Sequence, residues 1–161
     1  ITIKGIGEVT ITPVNIAGYD PNTGIAITAS GIVVEGLIIN GGGITPSRGV
    51  SGSSGAKYTV KNVTFKNLTT GIYANASGSG TVELTAIGNE FNSCTAGIGG
   101  TENTLLYKIE GNTFSGCTEG IGLGPGVHSR LVGDDYIINY LVDNNTFTGC
   151  TNTVKDYRPQ S

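Results

Sequence analysis

The chain has no Met, no Trp and a single His, and only three of its 161 residues are Cys. Each shortage excludes something. Without Met there is no translation start, so a sequence that opens on Ile1 reads as a mature or trimmed product. Its first residues, ITIKGIG, have neither the basic region nor the unbroken apolar stretch of a secretory signal. Cys94, Cys117 and Cys150 are too few, and odd in number, for a disulfide scaffold. With no CxxC pair and no His beside them they make a poor zinc set, so no metal and no cofactor is expected. Charged residues are 13% of the chain and the net charge is −3, so there is no basic field to hold a phosphate backbone. Nucleic acid is not an expected partner. No apolar run approaches the roughly 20 residues of a membrane-crossing helix, so no membrane span is expected.

What the chain has is Gly, Thr, Asn and Ser, which together supply 73 residues, beside a hydrophobic share of 37%. Disordered chains of similar polarity lack the Ile and Val found here. Helix formers are scarce and β-branched residues abundant, which points to an all-β protein. The length suits one domain, 1–161, large enough to bury a core.

Self-similarity then organises the whole chain. GNEFNSCTAGIG (88–99), GNTFSGCTEGIG (111–122) and NNTFTGCTNTVK (144–155) align almost letter for letter, and NVTFKNLTTGIY (62–73) has the same frame with Leu68 in place of the cysteine. The anchor position runs Ile11, Ile39, Phe65, Phe91, Phe114, Phe147, in steps of 28, 26, 26, 23 and 33. A second column runs Ile25, Val50, Ile72, Ile98, Ile121, Val154. Each copy holds three short β-like runs between Gly, Asn and Ser, whose turns need left-handed or tight backbone. A coil of three strands per copy, stacked on its neighbours, lets every copy bury the same columns. The expectation is a β-solenoid of about six coils with no capping helix.

The phrase N-x-F-x-x-C-x-x-G-I resembles the repeats of right-handed parallel β-helix proteins, the pectate-lyase-like superfamily. The resemblance spans essentially all 161 residues and implies the scaffold and its right hand. It also raises the reading of a polysaccharide lyase or glycoside hydrolase, since in such lyases calcium-binding acids and a base gather on the outer strip of the third sheet. Here the matching columns are Ala26, Ser51, Tyr73, Gly99, Gly122, Lys155 and Thr28, Ser53, Asn75, Thr101, Gly124, Tyr157, with no carboxylate among them. No catalytic residue is assigned. The one dense polar cluster, His128, Arg130, Asp134 and Asp135, lies in the insertion GPGVHSRLVGDD (124–135), which reads either as a solvated loop or as a site for sugar acids or a metal, the solvated loop being the expectation.

Stacking would place the three cysteines on neighbouring rungs as an inert thiol ladder or a partly bridged one, since Leu68 fills the same position. Four sequons, at Asn62, Asn67, Asn75 and Asn144, could carry glycans on an extracellular protein. Neither end has a helical or polar capping pattern. Ile1–Lys4 aligns with the first strand of a copy and Thr153–Tyr157 with the third, so the two ends match in phase, as expected either of a subunit that stacks end to end or of a piece of a longer β-helix. One repeat column, Lys4, Glu35, Lys61, Ile87, Glu110, Asp143, would bring Asp143 of one subunit to Lys4 of the next. The functional expectation is a non-enzymatic extracellular or cell-surface structural subunit that stacks head to tail. Its assembly interface would be Ile1, Ile3, Lys4, Asp143, Val154 and Tyr157, with Ile3 the position where proline should block the incoming edge. The alternative is a carbohydrate-active or carbohydrate-binding β-helix domain, or an adhesin module, with surface glycans as the partner.

Overall fold

The computed structural model describes residues 1–14, 22–75, 82–100, 104–123, 130–132, 135–137 and 140–156. Short strands alternate with residues that can take a left-handed backbone, and this punctuation folds the chain into coils. The first coil is β1 (Thr2–Lys4), β2 (Thr10–Ile11) and β3 (Asn22–Ile27); the second is β4 (Ile32–Glu35), β5 (Ile38–Asn40) and β6 (Ser47–Ser53). The third is β7 (Lys57–Lys61), β8 (Thr64–Lys66) and β9 (Thr70–Asn75); the fourth is β10 (Val82–Ile87), β11 (Glu90–Asn92) and β12 (Ala96–Gly100). The fifth is β13 (Thr104–Glu110), β14 (Thr113–Ser115) and β15 (Glu119–Leu123). A hairpin of β16 (Arg130–Val132) and β17 (Asp135–Ile137) precedes the last coil, β18 (Tyr140–Asp143), β19 (Thr146–Thr148) and β20 (Asn152–Asp156).

The strands stack into three six-stranded sheets, each taking one strand per coil in chain order, and every pairing within them is parallel. The four turns from β4 to β15 are flanked on both sides, while the first and last have one neighbour each. The described residues contain no helix. The fold is thus the expected all-β parallel solenoid.

The corner after the first strand is left-handed in successive coils, at Gly36, Asn62, Gly88, Gly111 and Asn144, with φ between 51° and 65°. The corner after the second strand repeats the device at Asn67, Ser93, Gly116 and Gly149. Gly and Asn tolerate that region best, which is why eight of these nine corners are written in those letters, Ser93 being the ninth.

Inside, the two columns stand as read. Phe65, Phe91, Phe114 and Phe147 pair in register and stack nearly parallel, with ring centroids 4.9, 4.7 and 4.9 Å apart. One expectation needs correcting: Phe147 is only partly buried, because among the described residues no strand pairs with the outer side of β19. Likewise Val154 ends the buried column of Ile72, Ile98 and Ile121 yet is 43% exposed.

A second internal device escaped the sequence reading. Asn89 and Asn112 are buried, and with Asn145 they form a ladder one residue beyond the left-handed corner. The Asn112 amide Nδ2 donates to the Ala86 carbonyl at 3.0 Å and to Asn145 Oδ1 at 2.9 Å. Its own Oδ1 accepts from the Asn89 backbone N–H and Nδ2, both at 2.9 Å. Every polar atom of that side chain is spent on tying three coils together, which is the condition for burying an amide at no loss.

Candidate functional site

Three surfaces are open to functional reading: the outer faces of the sheets, the cysteine column and the two ends of the coil.

On the first sheet, alternation turns Lys and Glu outward, and they pair across rungs. Lys4 and Lys61 flank Glu35 at 3.7 and 3.3 Å, and Lys57 meets Glu83 at 2.7 Å. A shallow groove of about 380 Å³ lies there, lined by Lys57, Thr59, Glu83, Thr85 and Lys108 among others. Its one carboxylate, Glu83, pairs with Lys57, and Lys108 pairs with Glu110, so the groove holds no pair of acids.

The third sheet is less bare than expected. The column Ala26, Ser51, Tyr73, Gly99 carries no acid, but a neighbouring column runs Thr23, Arg48, Thr70, Ala96, Glu119, Asn152. Glu119 therefore sits on this sheet, where it accepts from Lys155 Nζ at 3.3 Å. The guanidinium of Arg48 lies 3.6 Å above the centroid of the Tyr73 ring, so that face of the ring is occupied. Within the insertion, Arg130 and Asp135 lie at opposite ends of the hairpin strands, in register with Ile137 and Val132. His128 and Asp134 lie outside the described residues, as do Thr101, Gly124 and Tyr157. Among the described residues, no group of three or more His, Cys, Asp or Glu could hold a metal ion.

The cysteines stack as expected, one per rung above Leu68: the amides of Thr95, Thr118 and Thr151 donate to the carbonyls of Leu68, Cys94 and Cys117. All three thiols are free. Cys94 and Cys117 are buried and Cys150 half-buried. Each thiol of the last two rungs points at the carbonyl of the preceding anchor, Cys117 to Phe91 at 3.7 Å and Cys150 to Phe114 at 3.6 Å. The neighbouring Cys94 thiol lowers Cys117 to about 6; the same contact and burial raise Cys94 well above the thiol range. Burial raises Cys150.

The sequons divide by position. Asn62, Asn67 and Asn144 are exposed at left-handed corners, whereas Asn75 is half-buried at the end of β9. Their conformation accounts for Asn at these corners without any glycan.

At the ends, Ile1 is 87% exposed, and Ile3, Ile6, Val9 and Val14 are exposed with it on the first coil. The backbone corrects one expectation. Ile1 O accepts from Val33 N–H at 2.9 Å and Gly5 N–H donates to Glu35 O at 3.0 Å. Residues of a strand present their N–H and C=O groups to alternate sides, so Ile3 bonds inward to β4 and the open edge belongs to Thr2 and Lys4. At the other end Asp143 O faces inward, accepting from Gly111 N–H, so the open edge of β18 belongs to Val142. The column Lys4, Glu35, Lys61, Ile87, Glu110, Asp143 is in register along the whole first sheet.

No protein-family model, curated protein or solved structure matches the chain.

Proposed function

We propose that the protein is a structural solenoid subunit that works outside the cell or on its surface, and that copies stack head to tail into a filament. The observation that carries this reading is the complementarity of the two open edges. Continuing the register of the first sheet by one rung pairs Val142 with Ile3 of the next copy and Asp143 with Lys4. The outward Val142 would then accept from the N–H of Lys4 and donate to the C=O of Thr2, the two residues with groups free to meet it. In the second sheet the same step puts Ile11 over Phe147, so that a partly exposed ring gains a cover. A contact between unlike ends is not self-limiting, and it propagates. Exposed sequons at Asn62, Asn67 and Asn144 accord with an extracellular place.

Negative-stain electron microscopy with light scattering tests the reading. Thin unbranched fibres whose mass grows with concentration are the expected result; a protein that stays monomeric at high concentration overturns it.

A further inference from the structure

Resting on that end-to-end reading, a second observation concerns what the last coil will accept. A glycine column, Gly24, Gly49, Gly71, Gly97 and Gly120, runs beside the buried aliphatics, each one residue before a member of that column. Each glycine lies against the anchor of the following coil. A Cβ at Gly49, Gly71 or Gly97 would stand 2.5–2.6 Å from the ring of Phe65, Phe91 or Phe114, and as close to the next carbonyl. No side chain fits there. At Gly24 the following anchor is Ile39, and the same Cβ would meet its Cγ2 at 3.2 Å and the Gly49 carbonyl at 2.9 Å. The side-chain contact is relieved by a shift of a few tenths of an ångström, and the carbonyl, at 2.9 Å against 2.5–2.6 Å in the Phe-anchored coils, has less far to move. In the last coil the glycine is replaced by Thr153, which is exposed.

We propose that Thr153 makes the C-terminal face selective: it rejects any incoming coil anchored by Phe and admits one anchored by an aliphatic residue. The occupant is the first coil of a second copy, whose anchor is Ile11. Charge argues for the same occupant, since Asp143 on the face meets Lys4 on that coil. The device is exclusion added to attraction. It sets aside every coil anchored by Phe, the chain's commonest anchor, and leaves the two anchored by Ile, of which the Ile11 coil is the one with a strand neighbour on one side only among the described residues.

A size swap across the junction tests this. Ile11→Phe should leave the subunit folded, since the position ends its column and has no glycine column below it within the molecule, and circular dichroism checks that. It should raise the critical concentration for assembly at least about tenfold. Ile11→Phe combined with Thr153→Gly should restore assembly. If Ile11→Phe assembles like the parent, or the double variant fails to recover, selection by Thr153 is wrong while the filament reading stands. If the parent itself does not assemble, both are wrong.

Discussion

The ring of Phe114 lies so close to Gly97 that a Cβ on that glycine would stand 2.5 Å from its Cε1. The flat aromatic stack exists because one column of the coil has no side chains. Gly97→Ala should therefore cost about 1–3 kcal/mol, the usual range for overpacking a core. Two residues on, Gly99→Ala meets nothing nearer than Thr70 Cγ2 at 3.7 Å and should fall within about 0.5 kcal/mol of the parent. Denaturant melts of the two variants make the comparison, and equal losses would show that the ring and the glycine are not coupled.

Position along the stack should matter as much as residue type. Phe91 is fully buried between two rings, and Phe91→Ala should cost roughly 3–5 kcal/mol. Among the described residues Phe147 stacks on one ring, Phe114, and it is partly exposed, so Phe147→Ala should cost clearly less in the monomer. Under assembling conditions that difference should narrow, because a docked coil would bury Phe147.

Asparagine plays two parts, and substitution should separate them. Asn112→Leu leaves the Asn89 backbone N–H without its acceptor, a loss of roughly 1–3 kcal/mol for a buried group without a partner. Asn62, exposed at φ 52°, should tolerate Gly with no loss, since Gly accepts that backbone freely. Urea unfolding of both variants gives the answer; a tolerated Asn112→Leu would mean the ladder is not a source of stability.

That contrast also explains what could be read from the letters alone. The anchor column from Ile11 to Phe147 was legible because a buried hydrophobe at a fixed period has one reading, and so was the cysteine column, where Leu68 marked the site as apolar. Asn89, Asn112 and Asn145 were not, because Asn beside a Gly or Asn corner reads as turn, although its recurrence one residue after each corner was the available signal. Glu119 was missed because the third strand begins a residue or more before the Gly-Ile pair that defined its columns. Contacts between rungs, such as Gly97 with Phe114, leave no trace within one repeat.

The cysteines should differ sharply in reactivity. Cys150 sits half-buried in the last coil, while Cys94 and Cys117 are buried beneath neighbours. At pH 8 one equivalent of a maleimide or disulfide reagent should add, at Cys150, and more slowly than to a free thiol because burial raises its pKa. Two further equivalents should require unfolding. Rapid labelling of all three in the native protein would show that the ladder opens.

Assembly should fail at one edge residue and not at its neighbour. Thr2 presents its N–H to the open side of β1, where the continued register would have it donate to the backbone carbonyl of Tyr140, two residues before Val142, so Thr2→Pro removes a donor that only an incoming strand would use. The subunit should fold and melt like the parent yet form no fibres. Ile3→Pro is the contrasting case, since Ile3 bonds to β4; it should lower subunit stability directly, and any loss of fibres would follow from that. Salt should matter little. The Lys4 and Asp143 pair would contribute about 0.2–1 kcal/mol across strands, and Lys4 already neighbours Glu35 at 3.7 Å. Raising salt from about 0.05 to 0.5 M should therefore raise the critical concentration no more than roughly fivefold, by screening that pair. Fibres from Thr2→Pro as abundant as the parent's would show that β1 is not the edge that joins, and dissolution by salt alone would mean that charge, and not strand pairing, holds the copies together.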